Sequence, residues 1–372
     1  MNTISQERIE EMVGKTILNW KIIGSLGQGN MCEVWKAENE DLVGSYAAIK
    51  CLKKENYQKN DLRERFEEEA KRMIVFQRKS GEVHKNIIEI KNFKKEKEND
   101  YLITEYVEGK TLKSYIKNDI GPIPPENTNT IFAQILDACK HMHKYNLIHR
   151  DLKPENIMIK PSGRIKILDF GIAKFDEDTL ELTQAGVIVG SPKYMSPEQI
   201  SAREKIDQRS DIYALGVILY ELLTGKYCFP NANTLPTISL AITQEPLPSV
   251  QKTIDYLPDS YDKLIALATA KKKEDRAQNC DELINHLNKI IGNKPIPITI
   301  KLSKFIMADI SIDGINEIAN KLSFNGNIGD SYPLTIEKKG YRKIEATINV
   351  NATHQSNNII ELNLKKKFLG LF

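Results

Sequence analysis

The run His149-Arg150-Asp151-Leu152-Lys153-Pro154-Glu155-Asn156 is followed by Asp169-Phe170-Gly171. Together these residues gather a base, a cation and two oxygen ligands into one short span. Asp151 is a carboxylate able to face an incoming hydroxyl and accept its proton. Lys153 supplies positive charge beside a phosphoryl group in transit, and Asn156 and Asp169 are oxygen ligands of the kind magnesium takes. A lone His-Arg-Asp occurs readily by chance, whereas the full run with Asp-Phe-Gly at this distance does not. The chemistry such a set can do is the transfer of a phosphoryl group to a hydroxyl.

Other stretches must position that chemistry. Leu26-Gly27-Gln28-Gly29-Asn30-Met31-Cys32-Glu33-Val34 suits a hairpin over phosphates, because glycines let the backbone approach phosphate oxygens without a Cβ clash. Taken alone, a loop of this composition is more often an ordinary turn. Here Ala47-Ala48-Ile49-Lys50 follows as a short apolar strand ending in a cation. A buried lysine needs a partner. The helical segment 63–76 offers Glu69, 69 − 50 = 19 residues on. Phe66, Ala70 and Met73 mark the inward stripe that Glu69 adjoins. Glu67 and Glu68 are the alternatives and read as solvated residues of the exposed face.

From about Val13 to Ile291 the chain resembles the eukaryotic-like serine/threonine kinases of bacteria, and the motifs occur in order. Gly14-Lys15-Thr16-Ile17-Leu18-Asn19-Trp20-Lys21-Ile22-Ile23 is similar to their lead-in strand, with Trp20 where tyrosine is usual. Gly190-Ser191-Pro192-Lys193-Tyr194-Met195-Ser196-Pro197-Glu198-Gln199 resembles their peptide-binding segment. Ser210-Asp211-Ile212-Tyr213-Ala214-Leu215-Gly216-Val217 resembles the helix after it, and Arg276 stands where an arginine pairs with the glutamate at Glu198.

The resemblance implies an α+β, bilobal protein-kinase fold, with a β-rich N-lobe and a helical C-lobe. It implies ATP as phosphoryl donor, magnesium or manganese as the metal, and protein serine and threonine hydroxyls as acceptors. Asp151, Lys153, Lys50 and Glu69 would be catalytic, and Asn156 and Asp169 would hold the metal. Leu26, Gly27, Gln28, Gly29, Asn30, Val34, Ala48, Lys50, Thr104, Glu105, Val107 and Met158 would form the ATP site. Glu105 and Val107 would offer backbone groups to adenine, Val34, Ala48 and Met158 would sandwich the ring, and Thr104 would guard the back of the pocket. Arg150 would pair with a phosphate on the activation segment, at Thr183 first and Thr179 in reserve, while Ser191 would bridge Asp151 and Lys153. One departure from the family pattern is Cys32 at its third glycine, where a small side chain can be accommodated, so weakened loop mobility rather than loss of activity is expected; the sharper reading is a thiol over the phosphates that blocks nucleotide when oxidised. The rival reading is an ATP-binding scaffold that signals through contacts; the complete catalytic set weighs against it.

Lysine plus arginine number 53 and aspartate plus glutamate 50, so net charge gives no pull toward nucleic acid or membrane. Basic runs at Lys271-Lys272-Lys273 and Lys365-Lys366-Lys367 read as solvated surface, and the closing Phe368-Leu369-Gly370-Leu371-Phe372 as packed on its own domain or disordered. Cys32, Cys51, Cys139, Cys228 and Cys280 are scattered and odd in number, which argues for a reducing compartment. With no long apolar run and no signal peptide, the expected location is the cytoplasm.

Residues 1–12 read as an extension for which a short helix is one option. The kinase domain is expected over 13–293, as an N-lobe over 13–105 and a C-lobe over 106–293. Within it, strands are expected at 20–25, 34–39, 46–52, 87–93 and 101–105, a surface insertion at 77–84, and helices at 127–145 and 211–223. After a Gly292-Asn293-Lys294-Pro295 linker the apolar period becomes two, at Ile296, Ile298, Ile300 and Leu302, Ile310 and Ile312, Leu334 and Ile336, Ile344, Ala346, Ile348 and Val350, then Ile360, Leu362 and Leu364. Asp313-Gly314, Asn325-Gly326 and Lys339-Gly340 are turn signals. A small all-β domain over 294–372 follows, similar to the β-sandwich called PEGA, through Ile310-Ser311-Ile312-Asp313-Gly314, Tyr332-Pro333-Leu334-Thr335-Ile336 and Lys339-Gly340-Tyr341. It carries no catalytic cluster, so an unknown binding partner or a homodimer is its expected use.

Overall fold

The computed structural model describes residues 4–29, 31–97, 99–120, 122–169, 192–201, 205–292, 296–302, 307–312, 315–326, 331–339, 341–349 and 359–362. The first half of the matched motifs builds a sheet. After helix α1 (Gln6–Met12) come β1 (Thr16–Ile17), β2 (Trp20–Gln28), β3 (Cys32–Asn39) and β4 (Tyr46–Leu52). Short helix α2 (Lys54–Tyr57) and long helix α3 (Asn60–Ser80) follow, then β5 (Ile90–Lys95) and β6 (Asp100–Glu105). The six strands lie in the order β1-β2-β3-β4-β6-β5, all pairs antiparallel. Strand alternation sends Glu33, Trp35, Ala37 and Asn39 of β3 to one buried face. That outer face forms its own core with Ile17, Ile22, Ala47, Ile49, Cys51, Tyr101 and Ile103, closed over by Ile4 and Met12 of the N-terminal segment. The N-terminal extension is therefore a helix packed on the sheet.

The first half of the stretch expected as a surface insertion is helix. Helix α3 runs on to Ser80 and stops at Gly81, whose φ of 71° is the left-handed conformation that ends helices and suits glycine. Gln77 then pins the next segment, donating to the Ile88 carbonyl at 3.0 Å and accepting from Ile90 N–H at 3.2 Å. For that reason residues 87–89 leave the sheet, and the strand expected from 87 begins at Ile90. Ile87 instead bridges Ile167 of the C-lobe.

The C-lobe places β7 (Lys110–Thr111), β8 (Ile157–Ile159) and β9 (Ile165–Ile167) beside a helical core. Its helices are α4 (Leu112–Ser114), α5 (Pro125–Lys144), α6 (Pro197–Ser201), α7 (Gln208–Thr224), α8 (Leu235–Gln244), α9 (Ser260–Thr269) and α10 (Cys280–Ile291). Helix α7 has no solvent face: Ser210 through Thr224 are all buried. Such a helix, buried on every side, is the axis on which the lobe is assembled. At Gly216 an added Cβ would meet Thr269 Cγ2 at 2.5 Å and Ala268 Cβ at 2.8 Å, so glycine is what lets α9 approach.

Beyond residue 292 come seven strands among the described residues, β10 (Ile296–Leu302), β11 (Ala308–Ile312), β12 (Ile315–Ala319), β13 (Lys321–Gly326), β14 (Ser331–Glu337), β15 (Ile344–Asn349) and β16 (Ile359–Leu362). They form sheets in the orders β13-β10-β16 and β12-β11-β14-β15, with a core of Ile298, Ile300, Leu302, Ile310, Ile312, Leu322, Phe324, Leu334, Ile336 and Ile348. Three expectations change. Asn325 and Gly326 are not a turn but the end of β13, paired with Pro297 and Ile296. Ala346 is exposed, and Leu322 and Phe324 supply inward positions that the alternation had not marked. Val350, Leu364 and residues 365–372 lie outside the described residues.

Candidate active site

Strand β4 puts Ala47, Ile49 and Cys51 on the outer face, which turns Ala48 and Lys50 inward. The Lys50 ammonium lies 3.0 Å from Glu69 Oε1 and 3.0 Å from Asp169 Oδ1. Burial opposes the ammonium, but Asp169 and Glu69 outweigh it and hold Lys50 well above its ordinary pKa. Desolvation likewise pushes Asp169 up, and Lys50 pulls it below the usual carboxylate range. Glu69 is buried, whereas Glu67 pairs outside with Lys71 and Lys95, and Glu68 with Arg72. Of the three glutamates, the structure brings Glu69 to the lysine.

The residues of the 149–156 loop converge on one carboxylate. Asp151 Oδ2 accepts from Lys153 Nζ at 2.8 Å and from Asn156 Nδ2 at 3.0 Å, which fixes its rotation. Asn156 Nδ2 also donates to the Asp151 carbonyl at 2.9 Å, so its amide oxygen is the atom left for a cation. His149 is fully buried beneath the loop: Asp151 N–H donates to its Nδ1 at 3.3 Å, and its Nε2 donates to the Leu168 carbonyl at 3.1 Å. That pattern requires the neutral ring, and burial lowers its pKa below the usual value. Arg150 adopts φ 65°, a conformation rarely taken by a side-chain-bearing residue.

One residue that holds this loop was read from the sequence only as part of a helix. Asp211, fully enclosed near the start of α7, accepts from His149 N–H and Arg150 N–H, each at 2.9 Å, and pairs with His143 at 2.8 Å. Burial raises its pKa, and the hydrogen bond to His143 first of all, with that from the His149 backbone N–H, brings it below the ordinary range. The available signal was a carboxylate near the head of a mostly apolar helix. Two further links were also unforeseen. Glu105 pairs with the buried Lys166, which also donates to the Ile87 carbonyl at 3.0 Å. Glu221 accepts from Lys113 and from the Tyr194 hydroxyl, both at 2.5 Å.

Around the cleft, Val34 pairs in register with Lys50, and Ala48 with Thr104. Thr104 is half-buried, donating to the Glu105 carbonyl at 3.2 Å, while Val107 is buried and Met158 half-buried on β8. The hairpin closes through Gly29 N–H to the Cys32 carbonyl at 2.9 Å, with Gly27 at φ 142° and Leu26 and Gln28 on its rising strand. Asn30, Phe170, Gly171, Thr179, Thr183 and Ser191 lie outside the described residues. Glu198 and Arg276 meet as expected, at 2.9 and 3.1 Å.

Burial pushes the Cys32 thiol up to about 12, which weighs against an oxidation switch. One expectation fails. Lys271 is not a solvated surface residue: it donates to the Ile242 carbonyl at 2.8 Å, lies over the Tyr213 ring, and is drawn down by burial to about 8.

The chain is 36% identical over 274 residues to the serine/threonine-protein kinase PrkC of Bacillus subtilis, covering 73% of this chain and 40% of that protein. Over the same length it is 35% identical to a Lactococcus lactis protein named "Probable serine/threonine-protein kinase PknB", covering 42% of it. It is 34% identical to the serine/threonine-protein kinase Pkn1 of Myxococcus xanthus, covering 38% of that protein. The chain thus spans about two fifths of the length of the curated relatives it matches. Residues 20–290 match the family described as "Protein kinase domain", and the chain belongs to the protein kinase family.

Proposed function

We propose that this protein is an ATP- and magnesium-dependent serine/threonine protein kinase that phosphorylates its own activation segment at Thr183, with Thr179 in reserve. The observation that carries the reading is the Lys50 bridge between Glu69 and Asp169 beside a fixed Asp151. Asp151 takes the proton of a substrate hydroxyl as that oxygen attacks the γ-phosphorus and the bond to the ADP oxygen breaks. Lys50 balances phosphate charge, and Lys153 stabilises the group in transit. Asn156 and Asp169 fit a magnesium ion: both present hard oxygens, and Lys50 occupies only Oδ1 of Asp169. When bound, that ion adds positive charge against the phosphate oxygens.

Tyr194 and Met195 line a small depression shared with Arg150 and Asp151, which supports 190–199 as the peptide-binding segment. The kinase domain is assigned to 13–293. The strands at 294–372 are assigned to a protein-interaction module for which the PEGA likeness is the guide. No helix among the described residues is long and apolar enough to cross a membrane. Five free cysteines support a reducing compartment, the cytoplasm.

Incubation with labelled ATP and magnesium, followed by mass spectrometry, tests the reading. Phosphate is expected on serine or threonine in the wild type and absent in Asp151→Asn and Lys50→Met. Equal labelling in all three proteins would overturn it.

A further inference from the structure

The outer face of the small-lobe sheet holds one carboxylate that the phosphoryl-transfer chemistry does not use. Glu33 lies on β3 next to Cys32, in the strand that descends from the phosphate-covering hairpin, and is only 5% exposed. A carboxylate buried there needs a cation. Arg8 of helix α1 supplies it with a two-point fork, Nε to Oε2 at 3.0 Å and Nη2 to Oε2 at 3.0 Å, with Nε also 3.3 Å from Oε1. Burial opposes the guanidinium, yet Glu11 and Glu33 hold its pKa above the ordinary value. The same Arg8 reaches Glu11 at 2.8 Å, and Glu11 reaches Lys54 at 3.4 Å. Lys54 opens α2, which begins just past the strand that carries Lys50. Helix α1 thus ties the hairpin strand to the end of the lysine strand. At the hairpin tip, the Met31 carbonyl accepts from Lys53 N–H at 2.9 Å and Asn56 Nδ2 at 3.2 Å. Helix α1 also precedes the span matched to the family, which starts at residue 20.

We propose that helix α1 is a clamp on the nucleotide-covering hairpin, with Arg8 a positioning residue that acts on ATP through Glu33. The proposal rests on the ATP-site reading above. Arg8 sits on the face opposite Lys50, so it touches neither nucleotide nor the reacting atoms. What it sets is the height of the hairpin over the phosphates. A hairpin that covers phosphates before and during transfer contributes to ground-state and transition-state binding alike, so its loosening should raise KM and spare kcat.

The test uses the full chain and two readouts, steady-state kinetics over an ATP series and direct binding of a non-hydrolysable ATP analogue. In Arg8→Ala both KM and the analogue Kd are expected to rise about tenfold, with kcat within about twofold of wild type. Met12→Ala removes buried apolar contact from the same helix but no ion pair, so it should lower the melting temperature and leave KM unchanged. Should Arg8→Ala fail to fold, Arg8→Lys carries the test, since it keeps the charge and loses the fork. A folded Arg8 variant with unchanged KM would overturn the clamp, as would a Met12→Ala enzyme with an equal rise. A wild type that binds no analogue would overturn the site reading and the clamp with it, whereas equal binding by wild type and variant would remove the clamp alone.

Discussion

Arg276→Met isolates the ion pair that anchors the segment carrying Glu198 to the C-lobe. The Arg276 side chain is 0% exposed and that of Glu198 3% exposed. The guanidinium makes two bonds to the carboxylate and donates to the carbonyls of Ala270, Arg209 and Lys271. Methionine fills much of the volume and offers none of these donors. Glu198 is then left with the Ser210 hydroxyl at 2.7 Å as its remaining side-chain donor. Removing one partner of a buried pair costs about 3 to 5 kcal/mol, because the other charge stays desolvated. At about 2 to 4 °C per kcal/mol for a domain of this order of size, the melting temperature should fall by roughly 10 °C. Glu198→Gln should cost less, since the cation left behind keeps its three carbonyls and the Tyr213 ring at 5.3 Å.

Titration sharpens the expectation. In the wild type, burial raises Glu198 but Arg276 brings it below the ordinary range. Its contribution is therefore complete above the unfolded carboxylate value of about 4.3 and lost as pH falls through the lower folded value. Without Arg276 the desolvation remains, the folded pKa rises, and the deficit grows as pH climbs through it. The difference in melting temperature between wild type and Arg276→Met should thus be smaller at pH 5 than at pH 7, measured by differential scanning calorimetry. A loss below about 3 °C, or one equal at both pH values, would refute the account of Glu198 as a charge stranded by the substitution.

Three other outcomes are expected. His149 is buried neutral with a lowered pKa, so it stabilises the fold fully above its unfolded value of about 6.5 and less as pH drops toward the folded one; thermal melts of His149→Phe from pH 7 to 5 should show a flatter decline than wild type, and parallel declines would count against it. If Thr183 is the controlling phosphosite, Thr183→Ala should slow phosphorylation of an added protein several-fold more than Thr179→Ala, and equal rates in both variants would dismiss it. A truncation after Gly292 should melt cooperatively and keep generic substrate turnover, because the strands beyond it bury their own core; an insoluble truncation would show that the β strands complete the kinase lobes.

What the sequence made legible was local. The catalytic loop is a polar run whose members sit within a few residues of one another, so their types and spacing already describe the cluster that Asp151, Lys153 and Asn156 form. Glu69 was legible because one helix period sets it beside Phe66, Ala70 and Met73. The links left unread join residues far apart in the chain, where period and spacing carry no information. Arg8 meets Glu33, and Lys113 meets Glu221 across 108 residues. Lys166 shows why. In Ile165-Lys166-Ile167 the alternation turns the lysine away from the isoleucines, which in a sheet with one wet face would mean solvent. Here the opposite face is covered as well, so Lys166 is buried and must find Glu105 and the Ile87 carbonyl. Glu33 follows the same logic on β3, where an N-terminal helix turns a solvent position into a buried one. A charged residue in strand alternation tells which face it takes; whether that face is wet depends on chain elements the pattern does not contain.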